Sequence, residues 1–247
     1  MRLKLIACDV MHRELCAAVA RSPHHIDPEF LPKNLHDAGP DALRQRLQQS
    51  IDAVDPASCE SILLGYAMCG AGTVGLCARS LPLIVPRAYD CITLLMGGCD
   101  RLHEYSSKNP GVSFRSTGWL EPDQDVETIG DLKIQSGARC SLEELVERYG
   151  EDGGQYLYQQ FNSHQNTYRQ LTFIETGLER SDAGEKKVRN EAAGRGLEFE
   201  KVPADLGMLD RLLAGDWNSK EFLVVPPGHR IVAVRGKDLL GTEPCEN

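Results

Sequence analysis

Three cysteines of this chain each stand just past an apolar, strand-like run: Cys8 ends LKLIAC, Cys69 ends SILLGYAMC and Cys91 ends LPLIVPRAYDC. His36 follows the remaining run of the same region, in FLPKNLHD. Thiolates and imidazoles bind zinc, and thiolates also hold iron–sulfur clusters. Three cysteines leave one coordination position open, which is typical of a catalytic metal site. We predict Cys8, Cys69 and Cys91 as ligands of a zinc ion or a 4Fe–4S cluster, with His36 as a fourth ligand or acid–base group.

The elements that must position these residues alternate between strand and helix. The patterns predict strands over residues 2–7, 26–31, 61–64 and 81–85, and helices over residues 12–21, 41–54 and 73–79. Such alternation is typical of a parallel sheet with right-handed crossovers. The carboxyl ends of parallel strands share one edge, where open α/β sheets bind ligands. We therefore expect the cysteines and His36 to meet there. Because no CxxC pair is present, small buried cysteines without a metal stay an alternative.

The rest of the chain predicts a second set of elements. A helix is predicted over residues 92–105, then a polar loop over residues 106–139, and a capping box at Ser141 opens a helical stretch to about residue 168. Strands are predicted over residues 171–175, 197–202 and 221–225, helices over residues 183–193 and 206–213, and a short edge over residues 231–234. We predict an α/β fold of two Rossmann-like parallel-sheet halves joined by a helical segment. Residues 1–120 form the half with the cysteine site, residues 121–170 a mostly helical connection, and residues 171–247 a second, smaller half.

The glycine-rich segment after Cys69 reads GAGTVG and fits the pattern GxGxxG. A dinucleotide site expects this pattern after the first strand, with a longer helix behind it, so a tight turn is the favoured interpretation. We predict Gly70 and Gly72 as cofactor-binding residues because they let the backbone approach a ligand. The helix predicted over residues 73–79 would aim its N-terminal dipole at Cys69, which would lower the pKa of that thiol.

Two more residues near Cys91 carry functional groups. Asp90 is a candidate general base beside the metal, and capping of the helix that begins DCITLL is the alternative. Arg87 is a candidate cofactor-binding residue for a carboxylate or phosphate, or a partner of Asp90. From the second half, His229 either faces the crevice or is a surface loop histidine.

Composition excludes several classes of protein. The net charge of −9, from 27 Lys and Arg against 36 Asp and Glu, argues against a nucleic-acid binder and against binding to an anionic membrane surface. No apolar run approaches the roughly 20 residues of a membrane span. The N-terminal residues lack the features of a signal peptide, so we expect a cytoplasmic protein. In a reducing compartment, nine cysteines favour metal or thiol chemistry over disulfides.

Five runs of the sequence resemble the domain-of-unknown-function 1638 family: LKLIAC, FLPKNLHD, ILLGYAMCGAGTVGL, PLIVPRAYDCITLLMGG and GVSFRSTGW. The resemblance covers most of the chain, is tightest over residues 3–120, and departs from the family pattern at Ala67, where a glycine or similar small residue is usual. Members tend to be encoded near corrinoid-dependent methyltransferases that act on methylated amines. The resemblance therefore implies a role in one-carbon metabolism and a corrinoid protein as a possible partner.

These observations predict a cytosolic metal-dependent enzyme of methyl-group metabolism, a transferase or lyase that acts on a small molecule. The metal would act as a Lewis acid on that substrate. Two alternatives stay open. The first is a non-catalytic accessory protein that binds a corrinoid protein or carries a metal to it. The second is a metal-free thiol enzyme with Cys69 as its nucleophile.

Overall fold

The computed structural model describes residues 1–36, 38–121, 168–234 and 238–245. The helical stretch predicted from Ser141, and with it nearly all of the predicted connection, lies outside the described residues. The described strands are β1 Arg2–Cys8, β2 His25–Leu31, β3 Ser61–Gly65, β4 Leu83–Pro86, β5 Val112–Ser116, β6 Gln170–Glu175, β7 Glu198–Pro203, β8 Phe222–Val225, β9 His229–Ala233 and β10 Leu240–Pro244. The described helices are α1 His12–Arg21, α2 Pro40–Asp52, α3 Cys91–Leu95, α4 Cys99–Lys108, α5 Thr117–Leu120, α6 Ala183–Gly194 and α7 Gly207–Ala214.

The strands form a mixed α/β fold with two main sheets. One sheet has the order β2-β1-β3-β4-β8, in which the first four strands are parallel and β8 is antiparallel to β4. The other sheet is parallel and has the order β5-β6-β7. Strands β9 and β10 form a separate antiparallel hairpin. Each main sheet therefore includes one strand from the other predicted half. Strand β8, from the second half, joins the first sheet, and β5, from the first half, joins the second sheet.

The core of the first sheet lies where the apolar runs predict it. Strands β1 and β3 are central, and Leu5, Ile6, Leu63 and Leu64 are fully buried. Strands covered on both faces read as continuous apolar runs rather than as alternating ones, which is why these two are visible in the sequence. Helix α2 buries the stripe of residues Leu43, Leu47 and Ile51 that its helical spacing predicts.

Three predicted elements are wrong. Residues 73–79 are not a helix: Leu76 and Ala78 run alongside β9, with backbone hydrogen bonds to Ile231 (3.0 Å) and His229 (2.9 Å). The helix predicted over residues 92–105 is divided into α3 and α4 by Gly97 and Gly98, whose φ angles of 81° and 129° are not helical. The loop predicted over residues 106–139 contains β5, whose half-buried residues carry little apolar signal.

The carboxyl ends of the two main sheets face one another. A 3-10 turn, Asp9–Met11, follows β1 and contacts α5, which follows β5. The approach is so close at Gly118 that a Cβ atom there would lie 1.7 Å from the carbonyl oxygen of Val10. The residues at these edges therefore line one shared cleft. Among the described residues, every helix is too short or too polar to cross a lipid bilayer.

Candidate functional site

The three cysteines lie at the carboxyl edge of the first sheet, on three different strands or the turns that follow them. Cys8 is the last residue of β1 and Cys91 is the first residue of α3 after β4; they are 1% and 9% exposed. Cys69 lies in the turn after β3. A negative charge on Cys8 raises the pKa of both other thiols, and a charge on Cys69 raises the pKa of Cys91. The three thiols are therefore close enough for their charges to interact.

Burial keeps these thiols protonated at neutral pH. It raises the pKa of the Cys8 thiol to about 11 and raises the pKa of Cys69 and Cys91 above the usual value for a thiol. The carboxylate of Asp90 raises the pKa of the last two further. A thiolate forms readily here only if a cation or another positive group takes the place of the proton.

The thiols are not closed around a single point. In the described part of the chain, no three His, Cys, Asp or Glu side chains are arranged so that they could hold a metal ion. The eight cysteines of that part are all free thiols, without a disulfide. Metal binding by Cys8, Cys69 and Cys91 therefore stays a prediction.

The turn that carries Cys69 has an unusual backbone. Cys69, Gly70 and Ala71 follow one another in the left-handed region, with φ angles of 47°, 62° and 72°. For a residue with a Cβ atom, this conformation costs roughly 1–2 kcal/mol. The turn is held by hydrogen bonds from the Cys69 amide to the carbonyl of Tyr89 (2.8 Å) and from the Gly72 amide to the carbonyl of Cys69 (3.1 Å). Such strain occurs most often at functional sites, and here it positions a thiol.

The two glycines predicted to bind a cofactor differ in their surroundings. Gly70 has open space beside it, since a Cβ atom there would meet nothing within 4 Å. At Gly72, a Cβ atom would lie 2.4 Å from Leu43, so this residue lets the turn pack against α2. Since residues 73–79 form no helix, the helix dipole predicted to lower the pKa of Cys69 is absent, and burial raises the pKa of its thiol.

Tyr66 is a residue of this site that the sequence analysis missed. The pairing of β1 with β3 aligns Ala7 with Gly65, and the next position along each strand brings Cys8 beside Tyr66 on the same face of the sheet. Tyr66 is fully buried, and its hydroxyl faces the Cys8 thiol. A hydrogen bond between the two side chains lowers the pKa of Cys8 and raises that of Tyr66.

His36 lies against Tyr66, at the carboxyl end of β2. The two rings stack with their centroids 6.0 Å apart. The Nδ1 atom of His36 lies 3.2 Å from the carbonyl oxygen of Lys33, which can only accept a hydrogen bond, so Nδ1 carries the hydrogen. In the neutral ring this leaves Nε2 as the atom that can accept a proton or bind a metal. The structure thus places His36 beside the thiol site, as its position after β2 predicts.

The other predicted residues have structural partners. Asp90 caps α3: its Oδ1 accepts hydrogen bonds from the backbone amide and the hydroxyl of Thr93, at 2.9 and 2.8 Å. Arg87 turns away from the thiols and donates to the carbonyl oxygens of Ser219, Asp238 and Leu240. These contacts hold the segment after β4 to the residues that precede β8 and to the β9–β10 hairpin. His229 begins β9, in that hairpin.

The second sheet contributes Trp119, which the sequence analysis also missed as a site residue. Trp119 lies on α5, where its side chain interacts with the Cys91 thiol and lowers the pKa of that thiol. Its ring centroid is 6.4 Å from that of His36. Trp119 stands in the run GVSFRSTGW, but only the contact between the sheets shows that it faces a cysteine.

A cavity of about 330 Å³ opens next to Cys8 at the junction of the two sheets. Asp9 and Lys33 belong both to its wall and to the surroundings of Cys8, whose thiol pKa they respectively raise and lower. Lys33 also donates to the carbonyl oxygen of Gly118 at 3.1 Å. In the wall, Arg13 forms a bidentate ion pair with Glu121. The complete lining is Asp9, His12, Arg13, Cys16, Lys33, Gly118, Glu121, Leu178 and Arg180.

A family model described as "Protein of unknown function (DUF1638)" matches residues 30–213. The matched range includes His36, Tyr66, Cys69, Cys91 and Trp119, whereas Cys8 precedes it. No curated protein and no solved structure matches the chain.

Proposed function

We propose, from the premise that this chain belongs to the DUF1638 family, that it is an iron–sulfur enzyme whose cluster is held by Cys8, Cys69 and Cys91. The observation that carries the proposal is the convergence of three interacting thiols from three strands at one sheet edge. A further feature supports a bound group there, namely the strained turn at Cys69.

The protonation of the thiols favours a metal over a metal-free thiol enzyme. A cysteine nucleophile works as a thiolate and needs a lowered pKa. Here burial raises the pKa of Cys69, the candidate nucleophile, and the neighbouring Cys8 and Asp90 raise it further. A metal displaces the thiol protons, and its positive charge stabilises the buried thiolates.

A cluster requires its three thiols to be less close together than a single zinc ion does. Each thiolate on a zinc ion lies about 2.3 Å from it, so three of them must close around one point. The described residues offer no such arrangement for one ion. In a cluster each thiolate binds a different iron, which separates the thiols and suits groups that interact without being closed together. Three thiolates on a four-iron cluster leave one iron open to a substrate or to His36.

The cavity beside Cys8 provides the route for a small substrate. Its position at the carboxyl ends of β1, β2 and β5 is where α/β sheets bind ligands. We propose a transferase or lyase reaction of one-carbon metabolism at this place, in the cytoplasm, with a corrinoid protein as partner. The reaction class and the partner depend on the family resemblance. Co-purification with a purified corrinoid protein, and turnover of a methylated amine only when both are present, would support them.

Metal analysis of anaerobically purified protein tests the proposal. We expect iron and acid-labile sulfide, a broad visible absorption band, and loss of both in Cys8→Ser, Cys69→Ser and Cys91→Ser. Cys59→Ser is the matched control, because this cysteine is half-buried and precedes β3, at the opposite end of the strand from the site. Circular dichroism checks that each variant folds.

Other outcomes have defined meanings. A colourless protein with one equivalent of zinc that depends on the same three cysteines would replace the cluster by a zinc ion. A wild-type protein that retains no metal, even after reconstitution with ferrous iron and sulfide, would refute the proposed function. So would full iron content in all three of the cysteine variants.

A further inference from the structure

The wall of the cavity at the junction of the two sheets has an excess of positive charge. Its described lining includes three cationic side chains against two carboxylates: Arg13, Lys33 and Arg180 against Asp9 and Glu121. The chain as a whole has the opposite balance, with a net charge of −9. The cavity volume of about 330 Å³ lies within the range of pockets that bind small molecules, roughly 300–1,000 Å³. By size and charge, the cavity therefore suits a small anion.

The two carboxylates of this wall already have partners, whereas Arg180 does not. The guanidinium of Arg13 donates to the carboxylate of Glu121 in hydrogen bonds of 2.7 to 3.1 Å. The Oδ1 atom of Asp9 lies 3.0 Å from Nδ1 of His12. The side chain of Arg180 has no hydrogen bond or ion pair with any residue in the part of the chain that the structure describes. Its N–H donors are therefore available to a ligand in the cavity.

The loop after β6 carries Arg180 to this wall. Strand β6 ends at Glu175, at the carboxyl edge of the second sheet, and Thr176 follows it. The Oε1 atom of Glu179 accepts hydrogen bonds from the backbone amide of Thr176 (2.7 Å) and from its hydroxyl (3.1 Å). These bonds close a turn directly before Arg180. They also direct Glu179, the acidic residue adjacent to Arg180 in the chain, to another partner.

We infer that this cavity binds the carboxylate or phosphate group of a small molecule, and that Arg180 is the residue that contacts this group. A guanidinium presents its N–H donors as a planar fork that matches two oxygens of a carboxylate or phosphate. The carboxyl edges of the sheets are also where α/β folds bind ligands. Binding of this kind needs no metal, so the inference goes beyond the proposed function and does not depend on it.

The chain offers a matched control in Arg169, which precedes β6 at the opposite end of that strand. Like Arg180, it is exposed, and its side chain has no partner among the described residues. Arg180→Gln and Arg169→Gln remove the same charge from the two ends of one strand. Since neither side chain makes a contact that holds the fold, we expect both variants to unfold at the urea midpoint of the wild type. A difference in anion binding between them then depends on position alone.

Labelling of Cys16, an exposed thiol in the wall of the cavity, reports on binding. The purified protein is labelled with iodoacetamide at constant ionic strength, in chloride or with added inorganic phosphate or acetate, and mass spectrometry gives the rate at each cysteine. A bound anion covers the thiol, so we expect phosphate, acetate or both to slow the labelling of Cys16. The rate at Cys59, which precedes β3, should not change.

The arginine variants locate the binding group. In Arg180→Gln the anion concentration that gives half of the maximal protection should rise about tenfold, because hydrogen bonds to a charged group are lost. In Arg169→Gln this concentration should equal that of the wild type. Protection by phosphate alone would assign a phosphate group to the ligand, and protection by acetate alone would assign a carboxylate.

Three results would overturn the inference. The first is a wild-type protein in which neither anion protects Cys16. The second is equal protection of Arg180→Gln and wild type. The third is equal weakening in Arg180→Gln and Arg169→Gln, which would show a general effect of net charge. Iron analysis of the same samples tests the proposed function separately, so a protein that binds an anion without metal, or metal without an anion, distinguishes the two proposals.

Discussion

Replacement of Gly118 by alanine should separate the two sheets where they meet. A Cβ atom at this position would lie 1.7 Å from the carbonyl oxygen of Val10 and 2.7 Å from its carbonyl carbon. Both are backbone atoms, so no side chain can rotate to make room, and α5 must move away from the turn after β1 by more than about 1 Å. Trp119, the next residue on α5, moves with it, away from Cys91.

The magnitude follows from two opposing effects. Overpacking of this kind costs about 1–3 kcal/mol and occasionally more, while alanine gains up to about 1 kcal/mol over glycine inside a helix. We expect Gly118→Ala to lower the free energy of unfolding by about 2 kcal/mol, which reduces the ratio of folded to unfolded protein about 30-fold. For a chain of this size the melting temperature should fall by roughly 4–8 °C.

Urea unfolding followed by circular dichroism measures the loss of stability, and the rate at which iodoacetamide labels Cys91 reports on the site. Cys91 is only 9% exposed, so a displaced α5 should speed its labelling. The control is Gly194→Ala, where a Cβ atom meets nothing within 4 Å, and which should be neutral or slightly stabilising. Equal stability and equal labelling of Gly118→Ala and wild type would refute the close contact between the sheets.

Two other substitutions test the electrostatics and the strain around the cleft. Burial of Glu14, which is 3% exposed, raises the pKa of its carboxyl above the ordinary value of 4.5. The folded protein therefore loses stability as the pH rises above the pKa that this carboxyl has in the unfolded chain. Glu14→Gln should therefore be more stable than the wild type in urea unfolding at about pH 8 and lose that advantage at about pH 4; an advantage independent of pH would contradict this. Ala71 has a φ of 72°, so Ala71→Gly should remove about 1 kcal/mol of strain and raise the urea midpoint of unfolding. The control is Ala53→Gly, at a position with right-handed backbone, which should lower the midpoint. A lower midpoint for Ala71→Gly would argue against a strained turn.

The central strands and the placement of the cysteines could be predicted because they depend on local sequence. Strands β1 and β3 are buried on both faces and contain continuous apolar runs. The sequence therefore indicates where each strand ends and which residues follow it. His36 follows the edge strand β2, which the alternation of strands and helices predicts. The helix-capping role of Asp90 was an alternative of the sequence analysis, and the hydrogen bonds to Thr93 confirm it.

The remaining features depend on contacts between distant parts of the chain. Residues 73–79 have a helical pattern, but backbone pairing with β9 satisfies their hydrogen bonds in an extended form. Strand β8 joins the first sheet although it follows β7 of the second, and local sequence does not encode which sheet accepts an added strand. Trp119 meets Cys91 only because the sheets face one another.

Strained backbone lies at the carboxyl edge of the first sheet, in the turn that carries Cys69. Cys69 and Ala71 are left-handed residues with a Cβ atom, at roughly 1–2 kcal/mol each. An Ala71→Gly replacement would avoid part of this cost without enlarging any side chain. Natural domains are stable by only about 5–15 kcal/mol, so costs of this size matter to folding. A group that binds the thiolate of Cys69 would offset this cost, and this is the physical reason to look for a bound group between the three cysteines.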